Sequence, residues 1–122
     1  MDERGEFKQV SRRPLPTEAA ARKAAPVFSG VLAYFPDALV AVAELSRIGN
    51  EQHNPGTPLH WDRSKSTDEA DALTRHLLER GTIDSDGVRH STKVAWRALA
   101  MLQKEIELMH CQDHNRPLGR IE

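Results

Sequence analysis

The sequence predicts an all-α protein, built as a small helical bundle. Segments at 36–52, 66–81 and 91–110 place apolar residues at helical spacing, and no convincing run of alternating strand residues occurs. The length of 122 residues fits one domain. A chain of this size buries only a modest core, so partner subunits would help to complete it.

The first predicted helix is PDALVAVAELSRIGNEQ, at 36–52. Pro36 suits the first helical position, and Asp37 suits the positive end of the helix dipole. Apolar residues occur on both sides of this helix, and a helix of that kind is normally covered on both sides. The pattern therefore favours contact with another subunit.

The second predicted helix is STDEADALTRHLLERG, at 66–81, and it ends at Gly81. Ser66 and Glu69 have the spacing of a capping box, in which each side chain bonds the backbone of the other. The predicted buried stripe consists of Ala70, Leu73 and Leu77. The opposite face consists of Asp68, Ala72, Arg75 and Glu79, with Asp71 beside them.

The third predicted helix, at 91–110, carries one apolar stripe. That stripe consists of Ala95, Ala98, Leu99, Leu102, Ile106 and Met109. The preceding segment GTIDSDGVRH, at 81–90, has turn residues throughout and predicts a short hairpin.

The two ends of the chain differ from the helical region at 29–110. Residues 1–28 are polar and rich in alanine, which predicts a flexible arm with a short helix at TEAAARKAA that stops at Pro26. Residues 111–122 predict a polar C-terminal tail.

The composition excludes several classes of protein. With 17 basic and 18 acidic residues, the chain is not expected to bind nucleic acid stably through bulk charge. A single cysteine favours a reducing compartment. No apolar run approaches the ~20 residues of a membrane span, and the charged N-terminus is not a signal peptide. We expect a cytoplasmic protein without a membrane partner.

Several catalytic motifs are absent from the sequence. It contains no phosphate-binding P-loop, no nucleophile elbow and no adjacent His-Asp pair of the HD-domain phosphohydrolases. The residues His110, Cys111 and His114 offer a weak zinc alternative, since a second cysteine pair is missing. The stretch DSDG at 84–87 resembles the start of a calcium loop, but a plain turn explains it better.

Carboxylates on the first two helices remain as the candidate chemistry. Glu44 and Glu51 stand two turns apart on one face, and Asp68 and Asp71 stand one turn apart on the next helix. Two antiparallel helices would bring these oxygens together, and such sites suit Mg²⁺ or Mn²⁺. The segment between the helices could contact a base, a sugar and phosphates through Asn50, His53, His60, Trp61, Arg63 and Lys65.

The motifs GNEQHNPG, PLHW, DALTRHLL, DGVRH and AWRALA, at about 35–103, resemble the phage-type dATP/dGTP diphosphohydrolases of the MazG-like all-α superfamily. That superfamily carries E-x-x-E on one helix and E-x-x-D on the next. Asp68-x-x-Asp71 matches the second motif, with aspartate in place of the first glutamate. Glu44 retains part of the first motif, and Glu51 could replace its missing acid.

The resemblance implies hydrolysis of a purine deoxynucleoside triphosphate, dGTP or else dATP, to monophosphate and pyrophosphate. Residues 29–110 would form the catalytic domain, with Glu44 and Asp71 as catalytic residues. Two or three Mg²⁺ or Mn²⁺ ions would be held by Glu44, Asp68, Asp71 and Glu51. A metal-bound water would then attack the α-phosphate.

The resemblance further implies a substrate site and an assembly. The implied substrate-binding residues are Asn50, His53, Trp61, Lys65, Arg75, Lys93 and Trp96, although Trp96 also borders the core stripe. MazG-like relatives are dimers or tetramers, and a tetramer is expected here. A role in a phage would place the protein in the host cytoplasm, where dGMP could supply 2-aminoadenine synthesis. The alternative is a non-enzymatic helical adaptor or a nucleic-acid-binding phage protein. The helices needing a partner would support it, as would the local basic charge of the arm, at Arg12, Arg13, Arg22 and Lys23.

Overall fold

The prediction of an all-α protein is confirmed by the computed structural model, which describes residues 14–115 and the side chains through residue 110. Within these residues there is no β-strand. A single π-helical turn occurs at Phe28–Leu32. The α-helices are α1 at Ala19–Lys23, α2 at Pro36–His53, α3 at Glu69–Leu78 and α4 at His90–Asn115.

The chain divides into two compact units, Met1–Pro36 and Asp37–Glu122. In the described part of the first unit, Glu18 caps α1 by accepting a 3.0 Å hydrogen bond from the Ala21 amide. The helix ends before Pro26, as the sequence predicts, because proline has no amide hydrogen to continue the helix. The π-helical turn that follows is not indicated by the sequence.

The second unit is built around α3 and α4, which pack on one another through small side chains. Ala72 and Ala100 are 2% and 3% exposed. The predicted stripe on α3 is wrong, because Ala70 and Leu77 are exposed and Leu73 is half-buried. The face of α4 that packs on α3 carries Ala100, Arg97 and Lys104. The residues of α3 that are buried there are therefore Ala72 and the acid Glu69.

The predicted capping box at the start of α3 is also wrong. Asp68 occupies the N-cap, and its side chain makes no capping hydrogen bond. Ser66 Oγ donates to Asp68 Oδ1 at 2.9 Å and accepts from Arg97 Nη1 at 2.8 Å. The Glu69 carboxylate points to α4 rather than to the backbone, because two cationic side chains there bind it.

Three of the six residues in the apolar stripe predicted on α4 are exposed in the single chain. Leu99 is 51% exposed, Leu102 is 53% exposed and Met109 is 40% exposed. The helix begins at His90, one residue before the predicted start, and continues to Asn115. Much of the apolar surface of the second unit is therefore not covered within one chain.

The predicted hairpin before α4 is confirmed. An antiparallel bridge joins Ile83 to Arg89, and the Asp84 amide donates to the Val88 carbonyl at 2.8 Å. Gly87 closes the turn with a φ of 85°, which favours glycine. This hairpin places Asp84 and Asp86 beside the first turn of α4.

No single helix among residues 14–115 is long and apolar enough to cross a membrane. The segments Ala19–Leu32 and Pro36–His53 reach the required length and composition only when they are taken together.

Candidate functional site

A cleft of about 710 Å³ opens in the second unit, within the size range of small-molecule sites. Its walls come from the second half of α2, the segment that follows α2, and residues of α3, the hairpin and α4. Six of the predicted substrate residues line it: Asn50, His53, Trp61, Lys65, Lys93 and Trp96. Arg75 does not line the cleft and instead pairs with Asp68 at 3.4 Å.

Two tryptophans form an aromatic wall of this cleft. The rings of Trp61 and Trp96 meet edge to face, with centroids 5.8 Å apart. Trp96 Nε1 donates to Ser46 Oγ at 2.9 Å, which fixes α4 to α2 at this point. The Arg63 guanidinium lies 4.1 Å from the Trp61 ring and also binds both Glu107 oxygens at 2.8 Å. Both rings are thus held in place by polar contacts.

Asn50, which lines the cleft, carries an unusual polar atom. Its Nδ2 donates to the Thr57 carbonyl at 3.0 Å, and this bond fixes which side of the amide faces inward. The other amide atom, Oδ1, is buried and has no hydrogen-bond partner among the described residues. A buried acceptor without a partner costs about 1–3 kcal/mol. A donor that reached Asn50 Oδ1 would recover that cost.

The charges that line the cleft are balanced. Three are cationic, from Lys65, Lys93 and Arg97, and three are anionic, from Asp62, Glu69 and Asp86. Lys93 and Arg97 are already paired with acids, whereas the Lys65 ammonium forms no ion pair within the described part of the chain. The cationic and acidic side chains that line the cleft therefore cancel in charge.

Glu69 is the buried acid of the cleft, and the sequence analysis did not assign it to the site. It is 8% exposed and binds Arg97 Nη1 at 2.9 Å and Lys104 Nζ at 2.8 Å. Burial alone would raise the pKa of Glu69, but the hydrogen bonds from Lys104 and Arg97 outweigh it and lower that pKa. Glu69 stays ionised and orients Arg97 beside the cleft.

The four carboxylates predicted to bind Mg²⁺ or Mn²⁺ do not line the cleft. All four residues are exposed, Glu51 pairs with Arg47 at 3.6 Å, and Asp68 is bound by Ser66 and Arg75. Hydrogen bonds from Ser66 and Arg75 lower the pKa of Asp68. The remaining two of the four predicted metal ligands are Glu44 and Asp71. Their oxygens suit these ions chemically, and the assignment stays a prediction.

A second cluster of possible metal ligands lies where α3, the hairpin and α4 meet. It consists of His76, Asp84 and His90, and one donor atom from each lies within 4.8 Å of the others. Among the described side chains, this is the one group of three or more histidines, cysteines and acids close enough to share an ion. His76 also lines the cleft.

The sequence could not indicate this cluster by spacing. His76 and His90 are fourteen positions apart, and no short metal-binding motif joins them. The hairpin brings them together by returning the chain from the end of α3 to the start of α4. The one available signal was that DGVRH and DALTRHLL each carry a histidine within the resemblance.

The fold and cleft define an all-α protein with a cleft of about 710 Å³, walled by two tryptophans and by equal numbers of cationic and acidic side chains. More specifically, residues 17–114 match the family described as dATP/dGTP diphosphohydrolase, N-terminal, so the chain belongs to that family. The match extends beyond the resemblance at 35–103 in both directions. Neither a curated protein nor a solved structure matches the chain significantly. The family name indicates a hydrolase of purine deoxynucleoside triphosphates.

Proposed function

We propose that this chain hydrolyses a purine deoxynucleoside triphosphate to the monophosphate and pyrophosphate, with dGTP as the preferred substrate. The observation that carries the proposal is the cleft, in which a paired tryptophan wall stands near a buried, unpartnered amide oxygen. Membership of the dATP/dGTP diphosphohydrolase family supports the same reaction. The product dGMP would be a precursor for 2-aminoadenine in a phage that uses that base.

The base is proposed to occupy the tryptophan end of the cleft. A purine ring offers a broad face for Trp61 or Trp96 and a donor for Asn50 Oδ1. Guanine presents two neighbouring donors, its ring N–H and its amino group, whereas adenine presents its amino group alone. This difference supports the order dGTP before dATP.

The phosphates are proposed to lie toward Lys65, which has no acidic partner in the described structure. Because the lining charges cancel, these residues alone do not neutralise a triphosphate. A divalent cation, when bound, neutralises phosphate charge and activates water for attack on phosphorus. Glu44, Asp68, Asp71 and Glu51 are proposed to hold Mg²⁺ or Mn²⁺, with Glu44 and Asp71 the most important.

The assembly is proposed to be a homo-tetramer made from paired dimers. The surface leucines of α4 support this assembly, since a closed arrangement would cover each apolar patch with its own copy. Exposed acids such as Glu44 and Asp71 would then be completed by groups from a neighbouring copy.

The reaction is tested by measuring pyrophosphate release from dGTP, dATP, GTP and dCTP with Mg²⁺, with Mn²⁺ and with a chelator. We expect turnover of the purine deoxynucleotides, with dGTP fastest, and its loss with the chelator. Glu44→Gln and Asp71→Asn should remove nearly all turnover, while Glu105→Gln, an exposed acid on α4, should not. Wild-type rates in either of the first two variants would refute the assignment of that residue.

The position of the phosphates is tested by a matched pair of cations. Lys65→Ala should raise KM, because Lys65 lines the cleft. Arg75→Ala should have a smaller effect, because Arg75 lies outside the lining and pairs with Asp68. Equal effects of the two substitutions would show that the phosphates do not lie in this cleft.

A further inference from the structure

We propose that His76, Asp84 and His90 form a binding site for one first-row divalent transition-metal ion, with Zn²⁺ as the representative ion, at the wall of the cleft. The site is separate from the Mg²⁺ or Mn²⁺ site proposed above and does not depend on the hydrolytic function. It rests on the geometry of the cluster, on the partner of one histidine and on the surrounding charge.

The distances within the cluster are close to those of a metal site. The Nδ1 atoms of His76 and His90 lie 2.8 Å apart, and one donor atom from each of the three residues lies within 4.8 Å of the others. An ion with bonds of about 2.0–2.2 Å needs its ligand atoms within roughly 4 Å of one another. Asp84 lies on a hairpin and is 27% exposed, so a movement of about 1 Å would close the site.

Glu79 prepares His90 for this role. Its Oε1 lies 3.0 Å from His90 Nε2, so it accepts the proton on that nitrogen and leaves a lone pair on Nδ1. Carboxylates commonly orient metal-binding histidines in this way. With that tautomer of His90, the 2.8 Å hydrogen bond between the two Nδ1 atoms has His76 as its donor. An ion would take the place of that proton.

The charge around the cluster also favours a divalent cation. Three carboxylates are involved, from Glu79, Asp84 and Asp86, and a single ammonium, from Lys93, lies among them. Lys93 Nζ binds Asp84 Oδ2 and Asp86 Oδ2, each at 2.7 Å. With neutral imidazoles, this group carries a net charge of −2, which one divalent ion cancels.

The donor set selects the kind of ion. Two imidazole nitrogens and one carboxylate suit Zn²⁺ and its first-row neighbours, whereas Mg²⁺ prefers oxygen ligands. Because His76 lines the cleft, an ion here would present open coordination positions to a bound ligand.

The site is tested by calorimetric titration of the metal-free full chain with Zn²⁺, alone and in a large excess of Mg²⁺. We expect one Zn²⁺ per chain, not displaced by Mg²⁺. Asp84→Asn and His76→Gln should each weaken Zn²⁺ binding roughly tenfold or more, and Glu79→Gln should weaken it by about 10–100-fold through the histidine. Helical content and melting temperature establish that each variant is folded.

His110→Ala is the matched control, because His110 is an exposed histidine at the other end of α4 and belongs to the weaker alternative with Cys111 and His114. It should leave Zn²⁺ binding unchanged. In the wild-type chain, histidine nitrogen resonances provide an independent measurement, and Zn²⁺ should shift two of them while leaving that of His110 in place. No Zn²⁺ binding by the wild-type chain, or binding lost in His110→Ala and retained in Asp84→Asn, would overturn the proposal.

Discussion

The inner and outer faces of α3 and α4 have opposite characters. Where the two helices meet, buried Glu69 is bound by Arg97 and Lys104 beside Ala72 and Ala100. The outer face exposes leucines and a methionine instead, at Leu77, Leu99, Leu102 and Met109. The apolar residues of α3 and α4 therefore lie mainly on the outer face, and not on the face where the two helices pack together.

The largest effect is expected from breaking the inner face. Glu69→Ala removes a 9% exposed carboxylate and leaves Arg97 and Lys104 without their shared partner. The free energy of unfolding should fall by about 3 kcal/mol, the lower end for a broken buried pair, since both cations are partly exposed. Urea denaturation measures the change. Glu105→Ala, on the exposed side of α4, should stay within about 0.5 kcal/mol, and equal losses would remove the distinction between the faces.

Acidification should weaken the same inner region together with the hairpin. The hydrogen bond from Lys93, followed by that from the Ser85 amide, lowers the pKa of Asp84 to about 2, and the pKa of Glu69 is also lowered. Each carboxylate stabilises the fold above its unfolded pKa of about 4 and loses that contribution as pH falls toward its folded pKa.

The lowered pKa of His76 adds a loss that begins below about pH 6.5, because the unfolded chain then binds the proton more tightly. Melting temperatures measured from pH 7 to pH 3 should decline in two stages. The first stage should be absent in His76→Gln, and a melting temperature that is constant from pH 7 to pH 4 would contradict the assignment of His76. A melting temperature that does not fall between pH 4 and pH 3 would contradict the assignment of the carboxylates.

A smaller effect is expected from Ser66. It donates to Asp68 Oδ1 and accepts from Arg97 Nη1, so Ser66→Ala should lower stability by about 1 kcal/mol. A capping box would predict a similar loss, but a double-mutant cycle separates the two explanations. Because Arg97 donates to Ser66, we expect the stability losses of Ser66→Ala and Arg97→Ala to be non-additive. Additive effects would instead favour the backbone cap.

The smallest effect on the chain itself is expected on the outer face. Leu102 is 53% exposed, so Leu102→Glu should change the unfolding free energy of an isolated chain by no more than about 0.5 kcal/mol. It should nevertheless lower the mass of the proposed assembly, as measured by light scattering after size exclusion. An unchanged mass in the variant would show that this stripe is not a subunit contact.

The sequence predicted where the helices lie in the chain better than it predicted which face of each helix is buried. Periodicity found the helices, and the glycine-rich stretch before α4 correctly indicated a hairpin. Periodicity cannot tell a stripe that faces a neighbouring helix from one that faces another subunit, which is why Ala72 was assigned to the wrong face of α3. The predicted capping box is wrong because Glu69 forms ion pairs with Arg97 and Lys104 on α4, which follows α3 in the chain.

For a similar reason, the sequence predicted some residues of the candidate site and missed others. The residues between α2 and α3 that line the cleft, such as Trp61 and Lys65, are close in sequence, and Trp61 belongs to the motif PLHW. His76 and His90 become neighbours only through the hairpin, and Asn50 Oδ1 becomes notable only because Thr57 fixes the other side of its amide. Such pairings depend on tertiary structure and have no local pattern.

The unpartnered oxygen of Asn50 has a consequence for selectivity. Since folding has already removed this acceptor from water, a ligand that brings a donor recovers about 1–3 kcal/mol, and one without a donor leaves that cost in place. Sites that hold such polar groups reject analogues without the matching donor more strongly than apolar pockets reject a missing methylene. A ligand that leaves Oδ1 without a donor would thus carry a penalty that is present before any ligand arrives.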